Sequence, residues 1–84
     1  MDQSLGYLRE ILAGYTEKDE IGKRIFDRIS THDYSTEGEF VRELTQKENQ
    51  YLNRVLSEAI KYSNQEQDDE RARQLNEVYE LLFI

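Results

Sequence analysis

Apolar residues recur along the chain at three- and four-residue steps, which is the spacing of one face of an α-helix. Leu5, Leu8 and Leu12 show this spacing near the start, and Leu75, Val78 and Leu82 show it near the end. Proline is absent, and apolar and polar residues do not alternate over the length of a β-strand. The pattern therefore predicts an all-α protein.

Three polar residues lie between the segments with helical spacing, where we expect helices to begin. Thr16, Thr36 and Asn64 are each followed by acidic or amide side chains in what would be the first turn of a helix. An oxygen at the N-cap accepts a hydrogen bond from a free backbone amide, and acids nearby suit the helix dipole. These three residues are therefore the predicted N-caps of the second, third and last helices.

The third predicted helix is long and carries apolar residues from Phe40 to Tyr62. Its stripe thins over Thr45–Gln50, where the sequence leaves open whether the helix continues, bends or divides. If the helix keeps its register, Glu48 or Lys47 approaches the buried face there, although an unpaired buried charge is costly. Either this part of the helix is locally exposed, or Glu48 forms a polar notch that sets pairing register or meets a basic group of a partner.

Residues 1–84 are expected to form a single helical domain, because 84 residues are too few for two. A chain of this size buries only about 60 % of its unfolded surface, so its core is thin. Short connections favour antiparallel neighbours. We predict a small antiparallel helical bundle of three to four helices, with a long third helix.

The charge of the chain narrows the possible partners. Eighteen acidic and 11 basic residues give a net charge of −7, and no basic segment stands apart from the rest. Direct binding to nucleic acid or to an anionic membrane is therefore not expected. The chain lacks cysteine, a basic N-terminal region followed by an apolar run, and any long apolar stretch, so a cytoplasmic location is expected.

Residues suited to chemistry are few. His32 is the only histidine and lies in a predicted loop, where no second metal ligand or nucleophile accompanies it. The acidic segment Glu66–Glu70 lacks the glycine and the spacing of a calcium-binding loop, and the glycines form no phosphate-binding loop. We predict no catalytic residue, no metal site and no cofactor, and hence no enzyme.

Tyrosine is abundant, with six residues in the chain and no tryptophan. Its apolar ring and polar hydroxyl suit the rim of a thin core, and they equally suit a protein interface. The apolar tail Leu81–Ile84 cannot face inward along its whole length, so it either packs across the bundle or contacts another subunit. The candidate partner-binding residues are Tyr7, Ile11, Tyr15, Tyr51, Tyr62, Leu81 and Phe83.

Three functions fit these features. The first is a non-enzymatic regulatory module that binds a protein partner through an apolar, tyrosine-rich face, with an acidic rim that favours a basic surface. The second is a self-associating structural protein, most simply a homodimer. The third is an acidic competitor of nucleic acid for a basic groove. The general character of the chain is typical of small bacterial regulatory proteins.

Overall fold

A computed structural model describes residues 2–83, and it contains five α-helices and no strand over that range. The all-α prediction is confirmed, whereas the predicted number of three to four helices is wrong. The helices are α1 (Gln3–Ala13), α2 (Glu20–Thr31), α3 (Glu37–Arg42), α4 (Gln46–Gln65) and α5 (Asp69–Leu81).

The predicted long third helix is wrong because the segment divides into α3 and α4, and α4 is the longest helix with 20 residues. The division is made by a capping box at the start of α4. The Thr45 hydroxyl accepts a hydrogen bond from the Glu48 amide at 3.1 Å, and the Glu48 carboxylate accepts one from the Thr45 amide at 2.9 Å. These bonds satisfy free amides that a continuous helix would pair differently.

The other helix boundaries agree with the predictions only in part. Thr36 is the N-cap of α3, as predicted, and its hydroxyl accepts from the Glu39 amide at 3.2 Å. Asp19 rather than Thr16 caps α2, and its carboxylate accepts from the Ile21 amide at 3.0 Å.

Asn64 is not an N-cap, because α4 continues through Gln65. Gln67 then adopts a left-handed conformation with φ 59°, and the Asp68 amide donates to the Ser63 carbonyl at 2.8 Å. This is a Schellman ending without the usual glycine. Asp68 caps the following helix α5.

The helices pack around one hydrophobic core. The most extensive contact joins α4 to α5, which are connected by a tight turn and therefore run antiparallel. Helix α1 lies against α2 and α5, α3 lies against α5, and α2 contacts α4. The fully buried apolar side chains are Leu5, Leu8, Leu12, Ile25, Ile29, Phe40, Leu52, Leu56, Leu75 and Val78.

A buried ion cluster joins α2 to the break between α3 and α4. The side chain of Glu48 is fully buried. Arg28 donates to both of its oxygens, at 2.7 and 2.9 Å, and Arg24 donates to one of them at 3.0 Å. The basic group that Glu48 requires therefore comes from this chain rather than from a partner.

The protonation of Glu48 reflects these bonds. Burial alone would raise the pKa of Glu48, but hydrogen bonds from Arg28, the Thr45 amide and Arg24 together hold that pKa below its ordinary value. The carboxylate is thus ionised at neutral pH and accepts bonds through both oxygens. Its charge fixes where α4 begins and which face of α2 lies against it.

Tyr34 lies in the connection between α2 and α3 and packs against α3 and the residue that follows it. Its ring is buried against Phe40 in an edge-to-face arrangement, with 5.5 Å between ring centroids. Its hydroxyl donates to the Glu43 carboxylate at 2.8 Å. Burial, followed by the bond to Glu43, raises the pKa of Tyr34 to about 12, so this hydroxyl stays protonated.

Gly22 in α2 admits the ring of Tyr51 from α4. A methyl group on Gly22 would lie 2.6 Å from the Tyr51 hydroxyl oxygen and 3.2 Å from Cβ of Tyr15. The first distance is too short for any real contact. Glycine is therefore required by the close approach of Tyr51 and not by the conformation of the helix.

We predict that Arg28→Met destabilises the protein by about 3 kcal/mol, because it removes two bonds from a buried carboxylate. Arg24→Met is the control. The Arg24 side chain is 54 % exposed against 21 % for Arg28, so its loss should cost about 1 kcal/mol or less. Urea unfolding measures both, and equal losses would contradict this account.

We also predict that the contribution of Glu48 to the free energy of unfolding decreases as the pH falls into the acidic range. Since the pKa of Glu48 is lower in the folded state, its contribution is complete above the unfolded-state value of about 4.3 and is lost as pH falls through the folded-state value. Urea unfolding from neutral pH into this acidic range should therefore show a smaller loss of stability for Arg28→Met than for the wild type. An unchanged pH dependence would count against the ion pair.

Gly22→Ala is expected to destabilise the protein by about 1–3 kcal/mol through overpacking, although alanine favours a helix by up to about 1 kcal/mol. The cost should shrink in a Tyr51→Phe background, where the nearest ring atom is at 3.3 Å. Gly6→Ala is the matched control, since nothing lies within 4 Å of its added methyl group, and it should be neutral or stabilising. Thermal unfolding of the double-mutant cycle provides the test.

Candidate protein-contact surface

The seven candidate contact residues do not form one continuous face. Tyr62 and Phe83 are each 63 % exposed, whereas Tyr51 is 4 % exposed and belongs to the core. The others are partly buried. The partly buried residues are Tyr7, Ile11, Tyr15 and Leu81.

Tyr7 lies in the contact between α1 and α5. The Arg71 guanidinium stacks on its ring at 5.0 Å from the centroid. Arg71 also reaches the Glu10 carboxylate at 3.6 Å. The exposed part of Tyr7 is thus covered by a cation of the same chain, and Ile11, one turn further along α1, packs against the core.

Tyr15 and Tyr51 contact each other edge to face, with 6.4 Å between ring centroids. Tyr15 follows the end of α1, and Tyr51 reaches it from α4 past Gly22. Arg54 lies over the Tyr51 ring at 5.5 Å. Because Tyr51 is buried by this arrangement, we leave it out of the proposed contact surface.

Tyr62 and Phe83 lie at opposite ends of the α4–α5 hairpin. The Asn49 side-chain amide donates to the Leu82 carbonyl at 3.2 Å, which places the end of α5 beside the start of α4. The 13 residues from Asn49 to Tyr62 then rise ~20 Å along the axis of α4. A small contact centred on one of these aromatic residues therefore does not include the other.

The end of the hairpin near Phe83 carries both an exposed ring and an apolar pocket. Phe83 packs edge to face on Tyr79, with 5.1 Å between centroids, and otherwise faces outward. The pocket has a volume of about 310 Å³. It is lined by Gly38, Val41, Arg42, Asn49, Leu81 and Leu82.

The C-terminal tail therefore divides between the interior and the surface. Leu82 is 7 % exposed and joins the core, while Leu81 borders the pocket and Phe83 is exposed. Leu82 therefore packs within the chain. Ile84 lies outside the described residues.

Arg42 supplies a cation at the pocket. No carboxylate within residues 2–83 lies at ion-pair distance from it. The rest of the protein is strongly acidic, so a free guanidinium beside an apolar pocket offers a specific polar contact at the rim. We name the surface formed by Val41, Arg42, Leu81 and Phe83 the α3–α5 surface.

Acidic side chains lie nearby, where α1, α3 and α5 meet. The Ser4 hydroxyl donates to the Gln74 side-chain oxygen, and the Glu77 carboxylate lies 3.2 Å from the same hydroxyl. Burial raises the pKa of Glu37, the Ser4 hydroxyl opposes this, and the Glu77 carboxylate adds to the rise. This carboxyl group therefore takes up a proton at a higher pH than an ordinary glutamate.

His32 and Asp68, which were considered as possible metal-binding or catalytic residues, each lie at the end of a helix. His32 caps α2 with its ring on that of Tyr34, at 5.7 Å between centroids. Asp68, in the acidic segment, caps α5. Within residues 2–83, no group of three or more potential metal ligands converges, and no helix is both long and apolar enough to cross a membrane.

Sequence reasoning missed the pocket and the cation beside it. The pocket exists because α3 is a separate short helix packed on α5. The signal for that break was present in Thr45 and Glu48, which have the spacing of a capping box. The isolation of Arg42 has no comparable signal, since it depends on which carboxylates the fold brings near.

Comparison with known proteins gives one curated relative and one family. The chain is 49 % identical over 83 residues to a "Sigma-G-dependent sporulation-specific SASP protein" of Bacillus subtilis (strain 168), with 99 % of this chain and 100 % of that protein covered. No solved structure matches. Residues 1–83 match the family described as "CsgA: Minor curli fiber component A", and the chain belongs to that family.

Proposed function

We propose that this chain is a non-enzymatic helical module that acts during sporulation and binds a protein partner through the α3–α5 surface. Its relative over the full chain is named as sporulation-specific, which supports the biological setting. The absence of any converging metal ligands within residues 2–83, and of any nucleophile–base pair in the sequence, supports a non-enzymatic role. A location inside the cell or spore follows from the same proposal.

One observation supports the contact site, namely the exposure of Phe83 at the end of α5, where Leu81 and Leu82 border an apolar pocket. Phe83 is 63 % exposed, and the pocket is lined by the aliphatic side chains of Val41, Leu81 and Leu82 together with Gly38, Arg42 and Asn49. Protein interfaces concentrate binding energy in aromatic and arginine side chains that are surrounded by apolar contacts. The α3–α5 surface has both, in Phe83 and Arg42.

The expected partner has a complementary character. An apolar side chain of the partner occupies the pocket, and a carbonyl or carboxylate of the partner meets Arg42. The net charge of −7 favours approach of a surface that is basic overall. The two features act at different ranges, because the net charge steers the encounter and the pocket determines the bound geometry.

Self-association is a second candidate, and the name of the family favours it because that name refers to a fibre component. Residues 2–83 contain no strand whose edge could pair with another copy. Assembly of the folded protein would therefore use helical surfaces, and the α3–α5 surface is again the apolar one.

Competition with nucleic acid is supported less well. Such a protein needs an ordered array of unpaired carboxylates. On α5, Arg73 instead bridges Glu70 at 2.9 Å and Glu77 at 3.2 Å. These pairs neutralise part of the acidic surface that would have to resemble a phosphate backbone.

We predict that Phe83→Ala weakens retention of a protein partner from sporulating-cell extract by at least about tenfold, the change expected for an interface anchor. Tyr62→Ala is the matched control, because Tyr62 has the same 63 % exposure at the other end of the hairpin. Both variants should keep the helical circular dichroism of the wild type. Affinity capture with quantitative detection of the retained protein measures the difference.

Loss of retention with Tyr62→Ala alone would move the contact to the other end of the hairpin and contradict the proposal. Sedimentation at several concentrations separates the two candidate functions. A monomer at all concentrations removes self-association, whereas a dimer or fibre dissociated by Phe83→Ala assigns the α3–α5 surface to contacts between copies.

A further inference from the structure

A second, polar cavity lies between the start of α2 and the start of α4, and it shares no lining residue with the apolar pocket. Its volume is about 200 Å³. Unlike the apolar pocket, it is bordered by charged and amide side chains from both helices. Its lining residues are Asp19, Ile21, Lys47, Gln50, Tyr51 and Arg54.

Two cations border this cavity without carboxylate partners. Lys47 and Arg54 lie two turns apart on α4, with Gln50 between them. Within residues 2–83, neither side chain has a carboxylate at ion-pair distance. In a chain with a net charge of −7, two unpaired cations at one cavity form a local positive site.

The hydroxyl of Tyr51 is a buried donor without a partner. The residue is 4 % exposed, and its hydroxyl makes no hydrogen bond within the protein. The ring crosses from α4 to α2, so that the hydroxyl lies against Gly22 in the first turn of α2. A buried hydroxyl without a partner costs free energy, which a ligand that supplies an acceptor oxygen would recover.

The start of α2 adds further donors. The first amides of a helix have no carbonyl one turn earlier to pair with, and the helix dipole places partial positive charge there. The Asp19 carboxylate already occupies the Ile21 amide at 3.0 Å. The amides of Glu20 and Gly22 belong to the same first turn.

We propose that this cavity binds a phosphoryl group, held by Lys47, Arg54 and the Tyr51 hydroxyl at the N-terminus of α2. Arg54 offers a planar pair of donors and Lys47 a mobile ammonium, which together match the geometry of phosphate oxygens. The Asp19 carboxylate at the rim offsets part of the positive charge of Lys47 and Arg54 and so disfavours ligands that bring more than one phosphoryl group to the cavity. The small volume admits the phosphoryl group itself, with the rest of the ligand outside.

The protonation of Tyr51 agrees with a donor role. Burial, followed by the charge of Asp19, raises the pKa of Tyr51, and the positive charge of Arg54 only partly opposes this rise. The hydroxyl therefore keeps its proton at neutral pH. It can donate to a phosphate oxygen without competing as an anion.

The test is a titration of the full-length protein with inorganic phosphate, phenyl phosphate and acetate at constant ionic strength, followed by amide NMR shifts and by melting temperature. Phosphate and phenyl phosphate should shift the amides of Glu20 and Gly22 and raise the melting temperature. Lys47→Gln and Arg54→Gln should each weaken binding about tenfold, as expected for loss of a charge-assisted bond. Tyr51→Phe should weaken it about fivefold while preserving the fold.

Lys61→Gln is the matched control, because Lys61 is another exposed lysine of α4 that lies outside the cavity. Its phosphate affinity should equal that of the wild type. Equal weakening by Lys61→Gln, an equally strong response to acetate, or shifts that avoid the first turn of α2 would each overturn the proposal. Binding of protein partners at the α3–α5 surface is a separate property, so neither result decides the other.

Discussion

The architecture depends on one buried carboxylate. Glu48 is fully enclosed, and its two oxygens accept hydrogen bonds from Arg28, Arg24 and the Thr45 amide. A carboxylate in that position must be paired, since an unpaired buried charge costs several kcal/mol, and Arg28 makes the closest pair. The cluster therefore couples the orientation of α2 to the starting point of α4.

The consequences of that cluster reach the candidate contact surface. Because α4 must begin at Gln46, the preceding residues form the separate helix α3, which packs on α5. Val41 and Arg42 of α3 then form one wall of the apolar pocket, and Leu81 of α5 forms the other. A continuous third helix would not have produced this pocket.

The sequence predicted the helical class and much of the core, because both follow from the spacing of apolar residues. It predicted α1 and the cap at Thr36 for the same local reasons. It failed where two signals competed. For Glu48 the sequence left open a locally exposed segment or a buried polar notch, and the capping box that Glu48 forms with Thr45 was not predicted. The end of α4 at Gln65 could not be predicted, because Gln67 adopts the left-handed conformation that usually requires glycine.

Contacts between distant segments could not be predicted in the same way. Whether Tyr51 is buried, and whether Arg42, Lys47 and Arg54 lack partners, depends on how helices far apart in sequence pack together. The separation of Tyr62 from Phe83 by the length of the hairpin has the same origin. Because of this packing, the residues of one expected tyrosine-rich face are distributed between the core, the α3–α5 surface and the polar cavity.

The ionisation of Glu48 provides the most direct test of this account. A carbon-13 NMR titration of the Glu48 side-chain carboxyl reports its protonation in the folded protein. We predict a midpoint below the ordinary value of a glutamate carboxyl. A midpoint at or above that value would show that the bonds from Arg28 and Arg24 do not offset burial, and would contradict the role of the cluster in placing α3 and the pocket.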